Sequence, residues 1–532
     1  MKTDPIEATS LPAVLDAAHE RDPGQVLLRC GARPLTVGEL RAQCDNVAAA
    51  LHEWGLGRGD RCALMMKNSP EFVAVWFGIL RAGGIEVPVH SAHRGPLLRH
   101  ILGETEAEVI FCDAEFVPRL AELELPRLRR VVVNGPLAEG AATPAGVAMV
   151  ELAEAFAEHP SFEAPVLSAR DPSSILYTSG TTGLSKGVVL SQGANLRLAH
   201  ANIELMEYTA EDVLYTAFPL FHVNAKFTSL TSSLITGATL VLDDSFSASR
   251  FWDRMREEGV TSFNYMGGLL TILARQPERE DDRDHSVTRA YGAACPGELW
   301  EPFEERFGVR LHEHFGMTEI GIASQNTRTS RRIGSIGRPV PYFELRLADD
   351  EDREVAVGEV GEIQVRPNEP ESMMIEYWHR PDATAEAFRN LWFHTGDRAR
   401  LDADGFLHYH DRLTDSIRRR GENISSFELE GIVGSYEGVL ECAAYGVPSE
   451  LGEDEVMVAV VAAPQSRLEV EAMIAFCEER VSRFAIPRYV RVMEALPRNA
   501  SQRITKFRLR EEGVTADTID LGDGRATPSR VG

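Results

Sequence analysis

Residues Tyr177–Gly187 read YTSGTTGLSKG. Gly180, Gly183 and Gly187 permit positive φ and close backbone approach to a ligand. Thr178, Ser179, Thr181, Thr182 and Ser185 supply hydroxyls, and Lys186 supplies a compact positive charge. Successive backbone N–H groups in such a loop form a nest for anions. The chemistry points to a polyphosphate guest. Ser174–Tyr177 before the loop and Val188–Leu190 after it are short apolar runs. The loop therefore joins two strands. A Walker loop is excluded, because that motif is G-x-x-x-x-G-K-[ST] running into a helix. Here the lysine stands between Ser185 and Gly187, and a strand follows. The plainer alternative for the stretch alone is a flexible polar turn.

Upstream, apolar positions at Val47, Leu51 and Trp54 give Leu40–Trp54 a helical pattern. Cys62–Met66 reads as a buried strand, and Pro70–Ala82 as a helix with proline in its first turn. Ile85–Val89, Val109–Cys112 and Val131–Val133 are further short apolar strands, and residues 134–170 read as a surface connection. Downstream, Ala194–Met206 and Phe251–Glu258 read as helices and Thr239–Leu242 as a strand. Thr288–Ala294 and Arg310–Glu319 each read as a strand running into a turn of small residues. Helices alternating with buried strands predict an α/β fold with parallel sheets. Ligands of such sheets bind beyond the carboxyl ends of the strands, where both turns lie.

From about Arg338 the texture becomes alternating, as in Phe343–Leu347 and Glu362–Val365, with turns such as Ala403–Gly405. This predicts an antiparallel, barrel-like part over about 338–410. After Asp411–Arg412 the pattern shifts to a mixture of helices (Phe427–Ser435, Ala472–Ser482) and strands (Ala443–Val447, Val456–Ala462). The expected organisation is a large domain over 1–411, of two parallel-sheet subdomains and a distorted barrel, and a small mobile α+β domain over 412–532.

The chain has 532 residues, 44% hydrophobic and 26% charged, with a formal charge of −26. Such a field disfavours nonspecific contact with nucleic acid or anionic lipid. An anionic substrate then needs a local basic site, and Lys186 and Arg418–Arg420 offer two. No run of about 18 uncharged apolar residues predicts a membrane helix. The opening MKTDPIEATS is acidic and polar, unlike a signal peptide. Seven cysteines are scattered without a C-x-x-C pair. They predict a reducing, cytoplasmic setting without disulfides or structural zinc.

Six segments in order now carry a resemblance: YTSGTTGLSKG (177–187), FPLFH (218–222), YGAACPG (291–297), FGMTE (315–319), WFHTGD (392–397) and DRLTDSIRRRGENIS (411–425). Over essentially its whole length the chain resembles the adenylate-forming superfamily of acyl-CoA synthetases, adenylation domains and luciferase. It looks most like acyl-CoA ligases acting on crotonobetaine and carnitine. The resemblance implies that a carboxylate attacks the α-phosphate of Mg·ATP to give acyl-AMP. A small domain then rotates, and a thiol displaces AMP.

The same resemblance implies roles. Thr178, Ser179, Gly180, Thr181, Thr182, Gly183 and Lys186 would hold the β- and γ-phosphates. Thr318 would bond the α-phosphate, and Glu319 would ligate Mg²⁺ as a hard oxygen donor. Asp397, aided by Arg412, would bond the ribose hydroxyls. Phe315 and the turn Gly292-Ala293-Ala294 would sandwich adenine, flanked by His314, Gly316 and Met317. His222 would gate the passage between acyl pocket and thiol tunnel. Asn224, Ala225, Lys226, Met266, Gly267, Gly268 and Ile320 fall where the family builds its acyl pocket. The small residues among them suggest room for a bulky acid, and Asn224 and Lys226 a polar feature on it. Arg418, Arg419, Arg420, Gly421, Glu422 and Asn423 would contact CoA. Each has a plainer alternative: Glu319 as a surface carboxylate, His222 as a satisfied core histidine, Asp397 as a turn cap, and the three arginines as a solvated face.

The chain departs from the family chiefly in one segment. The family has P-x-x-x-x-G-K, whose lysine bridges the substrate carboxylate and the α-phosphate during adenylation. Here Pro497 leads to Gln502-Arg503. A planar guanidinium differs in shape and solvation from an ammonium, and Gln502 lacks the freedom of glycine. Lys506 is the nearest other cation, on the same face only if the segment is helical. Thr414 stands at the hinge position, commonly Asp or Lys in the family; hinges need no one residue type.

These features lead to the expectation of an acyl-CoA ligase impaired in adenylation. It would act mainly on preformed acyl-AMP and CoA as a monomer or homodimer, with a separate adenylating enzyme as partner. Mg²⁺ enters only if adenylation occurs. The competing readings are a conventional two-step synthetase in which Arg503 replaces the lysine, transfer to an acceptor other than CoA, and a non-catalytic adenylate binder.

Overall fold

The computed structural model describes residues 8–31, 33–178, 185–295, 297–349, 351–412, 417–424, 426–449, 452–463, 468–497, 504 and 506–522. The chain divides into two compact units. One comprises residues 1–91, 101–177 and 187–411, the other residues 92–100, 178–186 and 412–532.

The first unit is built on two large sheets. One is eight-stranded. Its order runs Glu376–Tyr377, Lys186–Ser191, Pro172–Thr178, Ile85–Pro88, Arg61–Met65, Val109–Asp113, Arg130–Asn134, Ala148–Glu151. The paired strands from Ile85–Pro88 through Ala148–Glu151 are mutually parallel. The other sheet has nine strands and a parallel centre. Its order is Arg338–Pro339, Gly321–Gln325, Arg310–Met317, Arg289–Ala293, Ser262–Met266, Val213–Thr216, Thr239–Leu242, Val26–Cys30, Arg33–Thr36. Short buried runs without alternation are what strands covered on both faces require.

Helices Val37–Glu53 and Pro70–Arg81 pack into one core with residues of both sheets, including Leu28, Leu240, Leu64 and Leu176. The first begins with a capping box, in which the Thr36 hydroxyl accepts from Glu39 N–H while the Glu39 carboxylate accepts from Thr36 N–H. The second begins at Pro70 and is capped by Ser69. The alternating region forms a four-stranded antiparallel sheet, Phe343–Ala348, Val360–Pro367, Phe393–Leu401 and Leu407–Arg412. The expected surface connection over 134–170 contains the strand Ala148–Glu151 and the helix Leu152–Ala155, both too short to stand out from its Ala- and Glu-rich sequence.

The second unit has a four-stranded sheet: Val439–Pro448, Asp454–Ala462, Tyr489–Met493 and Thr518–Asp520. Helices Ser426–Gly434 and Val470–Glu478 share its core, with Leu429, Val433, Met473 and Ile474 packed against Val456, Val458 and Val460. Among the described residues, no helix is long and apolar enough to cross a membrane.

Candidate active site

Three parallel strands bring their carboxyl ends together in the nine-stranded sheet: Ser262–Met266, Arg289–Ala293 and Arg310–Met317. Their turns lie so close that side chains have no room between them. A Cβ on Gly267 would meet the Ala294 carbonyl oxygen at 1.7 Å, and one on Gly292 would meet the Tyr265 carbonyl oxygen at 2.2 Å. Ala294 adopts φ +62°. The buried Glu313 carboxylate holds this turn, Oε1 accepting from Tyr265 Oη at 2.9 Å and from Cys295 N–H at 2.8 Å. The His314 ring stacks on Tyr291 at 4.3 Å and 7°. Gly267 thus serves backbone packing and does not make room for a bulky acid.

Glu319 follows the strand Arg310–Met317 and is 5% exposed, which removes the surface-carboxylate alternative. Tyr377 Oη donates to its Oε1 at 2.9 Å, and Met374 N–H donates to its carbonyl at 2.7 Å. A carboxylate is a hard oxygen donor held here in one orientation, so it fits a magnesium ligand. Tyr377 pairs with Val188, just beyond Gly187.

Asp397 is 3% exposed, on the strand Phe393–Leu401. Its N–H donates to Thr395 Oγ1 at 3.1 Å, Thr395 Oγ1 donates to the Ile363 carbonyl at 2.7 Å, and the Glu362 carboxylate accepts from Gly396 N–H at 3.0 Å and bonds His394 Nδ1 at 2.7 Å. Tyr409 Oη donates to Asp397 Oδ1 at 3.0 Å, and the Tyr409 ring lies 6.4 Å from that of Phe315. The strand pairing thereby brings the Phe315 and Asp397 segments together through Tyr409. The sequence offered no signal for Tyr409 beyond an aromatic in an alternating strand.

His222 is half-buried. Its N–H closes a turn onto the Pro219 carbonyl at 3.1 Å. Its ring lies 4.7 Å from Phe221 and 6.0 Å from His90, and His90 lies 4.2 Å from Phe221. His90, beyond the strand Ile85–Pro88, is a second imidazole that no motif marked.

The chain continues into a π-helix, Asn224–Thr231, a rare element frequent at functional sites. The Asn224 side-chain carbonyl accepts from Asn264 Nδ2 at 2.5 Å. Ala225 lies in the core. Lys226 is 0% exposed and bonds the equally buried Glu86, with Nζ 4.5 Å from the Trp76 ring centroid. Burial pushes the Glu86 carboxyl up and the Lys226 ammonium down, and their mutual attraction opposes both. The charge expected to face an acyl group is therefore committed to the core, because the wider turn directs it at Glu86. Of the other residues placed at the acyl pocket, Met266 is half-buried and Ile320 fully buried.

Ser179–Gly183, Arg503 and Thr414 lie outside the described residues, as do the side chains of Arg412 and Asn423. Thr178 ends the strand Pro172–Thr178, and Lys186 opens Lys186–Ser191. The strand before the glycine-rich loop is tied at Tyr177, whose Oη donates to Glu104 at 2.8 Å; Arg380 pairs with the same carboxylate at 2.7 Å.

In the second unit, strands Ile417–Arg419 and Glu422–Ile424 pair antiparallel around Arg420–Gly421. Alternation along Ile417–Arg419 turns Arg419 inward, where it is 4% exposed, pairs with Glu455 at 2.7 Å and donates to the carbonyls of Phe484 and Ile486. Arg419 is therefore an internal anchor rather than part of a solvated or ligand-facing run. Arg418 is half-buried and Arg420 exposed. Lys506 opens the helix Lys506–Glu512 and bonds Ser426 Oγ at 2.8 Å and Glu430 at 2.7 Å.

A family model described as AMP-binding enzyme matches residues 15–378, and one described as AMP-binding enzyme C-terminal domain matches 428–503. The crotonobetaine/carnitine–CoA ligase of Salmonella paratyphi A is 31% identical over 485 residues, 90% of this chain and 93% of that protein. An anthranilate CoA ligase solved with anthranoyl-AMP superposes with a TM-score of 0.71 at 25% identity, covering 95% of this chain and 98% of that one. The o-succinylbenzoate CoA synthetase of Bacillus subtilis shares the fold with a TM-score of 0.83 at 24% identity, over 96% and 100% of the two chains. With converging strand ends, a buried carboxylate after FGMT and a buried aspartate in WFHTGD, the chain belongs to the AMP-binding enzyme family of the adenylate-forming superfamily.

Proposed function

We propose that this enzyme is an acyl-CoA ligase acting mainly in the second half-reaction, passing an acyl group from preformed acyl-AMP to CoA. The observation that carries this reading is the pair Gln502-Arg503 where the family has Gly-Lys, together with the commitment of Lys506 to Ser426 and Glu430. Lys506 opens the helix Lys506–Glu512, and its ammonium already serves the fold of its own unit.

In this reading Phe315 and the turn 292–294 hold adenine, Asp397 holds the ribose hydroxyls, and Thr318 bonds the phosphate. The CoA sulfur attacks the acyl carbon. A C–S bond forms as the bond from that carbon to the AMP oxygen breaks. AMP departs with the electron pair, and the thiol proton leaves to solvent. Buried, pre-bonded groups such as Asp397 and Glu313 need little reorganisation when the ligand arrives. Where adenylation occurs, Glu319 would hold Mg²⁺, which supplies charge neutralisation on the phosphate oxygens. Arg420, exposed at the hairpin turn, and the half-buried Arg418 are the candidates for CoA phosphates.

The acid itself is defined by fewer features than the motifs suggest. Gly267 and Ala225 are taken by packing and Lys226 by Glu86; Asn224, partly exposed with its side-chain carbonyl bonded to Asn264, is the remaining polar group of the set.

The test is to supply CoA with synthetic acyl-AMP, and separately with ATP and the free acid, over a panel of acids. Thioester from acyl-AMP alone is the expected result. Equal thioester from ATP and acid, with ordinary ATP–pyrophosphate exchange, would establish a conventional two-step synthetase instead.

A further inference from the structure

We infer that Asn68 is a positioning residue for His222: its amide clamps the Phe218–His222 loop to the carboxyl edges of both large sheets, and acyl transfer depends on that clamp. This rests on reading His222 as the gate of thioester formation.

Asn68 Nδ2 donates to the carbonyls of Phe218 at 3.0 Å and Asp243 at 2.9 Å, and its Oδ1 accepts from Leu220 N–H at 2.8 Å. Both amide protons and a carbonyl lone pair are thus used, on backbone groups 150 to 175 residues away. Asn68 follows the strand Arg61–Met65 of the eight-stranded sheet. Phe218 and Asp243 follow Val213–Thr216 and Thr239–Leu242 of the nine-stranded sheet. One side chain therefore joins the two sheets at the edge where His222 stands.

Asn68 is a fixed point. Its neighbour Lys67 donates its N–H to Asp113 at 2.7 Å, and its other neighbour Ser69 caps the helix Pro70–Arg81. The loop it holds lies between a strand ending at Thr216 and a π-helix beginning at Asn224. Asn68 grips that loop on both sides of Pro219, and the Glu86–Lys226 pair anchors it on the far side of His222. The imidazole hangs between these anchors, beside Phe221 and His90. Only an amide supplies two donors and an acceptor in so short a side chain. Aspartate would turn acceptors towards two carbonyls.

The experiment uses Asn68→Ala and the near-isosteric Asn68→Asp in the full chain. Thioester formation from acyl-AMP and CoA is expected to slow at least about tenfold, as misplaced site groups do, while the acyl-AMP dissociation constant changes little. Combined with His222→Ala, the loss is expected to be no greater than that of His222→Ala alone, because the two act as one unit. A readout independent of turnover is modification of His222 by diethyl pyrocarbonate, followed by peptide mass spectrometry with the exposed His379 as reference. It should accelerate several-fold in both variants. Unchanged modification of His222, or additive losses with His222→Ala, overturns the inference. If the unmodified enzyme forms no thioester from acyl-AMP, the functional reading fails while the modification rates still decide the clamp. Should Asn68→Ala not fold, Asn68→Asp carries both measurements.

Discussion

The Glu86–Lys226 pair is fully buried, so deleting either partner strands the other as an uncompensated charge. Lys226→Met alone should destabilise the first unit by about 3–5 kcal/mol, and Lys226→Met with Glu86→Leu should recover most of that loss. Denaturant melts of the single and double variants check this, and equal losses in both would refute it. His312 gives a pH-dependent counterpart. Burial holds its imidazole down to about 4, in spite of the Asn326 carbonyl 3.2 Å from Nδ1. The unfolded chain takes up a proton near pH 6.5, whereas the folded chain declines one until about pH 4. Stability should therefore fall as pH drops through that window, by up to roughly 3 kcal/mol from this one group. His312→Gln should flatten the slope between pH 6.5 and 4, measured as melting temperature against pH.

At the scale of elements, the hairpin Ile417–Ile424 turns on two residues of positive φ, Arg420 at +55° and Gly421 at +79°. Two-residue hairpins of this type favour Asn or Gly at the first position, and an arginine there carries strain. Arg420→Gly should leave the second unit as stable or raise its stability by up to about 1 kcal/mol, since relief of the left-handed conformation offsets the added freedom of glycine. The same change should raise the KM for CoA if Arg420 meets its phosphates. A falling melting temperature with an unchanged KM would contradict both halves. The strand pair that carries Asp397 and Tyr409 makes a second element-level prediction. Tyr409→Phe removes one donor to Asp397, the carboxylate proposed to hold the ribose, and should weaken AMP binding about fivefold, the worth of roughly 1 kcal/mol. Calorimetry with AMP reads it directly.

For the whole molecule, the proposed division of labour rests on the second unit, where Gln502-Arg503 stands in the segment that the resemblance assigns to an adenylation lysine, and Lys506 is held by Glu430 and Ser426. Gln502→Gly combined with Arg503→Lys should raise ATP–pyrophosphate exchange at least tenfold, while thioester formation from acyl-AMP stays near its original rate. Exchange that is already high without the change, or unmoved by it, would sink the division of labour. Arg503→Lys alone should give a smaller gain, because Gln502 would still restrict the backbone beside it.

The linear order of motifs determined the family and fold class, because glycine placement, strand hydrophobicity and turn chemistry are local properties that survive in one dimension. The strands and helices around Tyr177–Gly187, the antiparallel texture beyond Arg338 and the change near Arg412 were all legible in this way. What individual side chains face was not. Alternation in a hairpin sent Arg419 to Glu455, a π-turn sent Lys226 to Glu86, and the missing Cβ of Gly267 received the Ala294 carbonyl rather than a substrate. Tyr409, His90 and Asn68 gained their positions only when strands far apart in sequence were laid side by side. A polar side chain's role is set by which partner satisfies it. That partner is chosen by tertiary packing, since a buried charge or amide is stable only where the fold brings its complement within bonding distance.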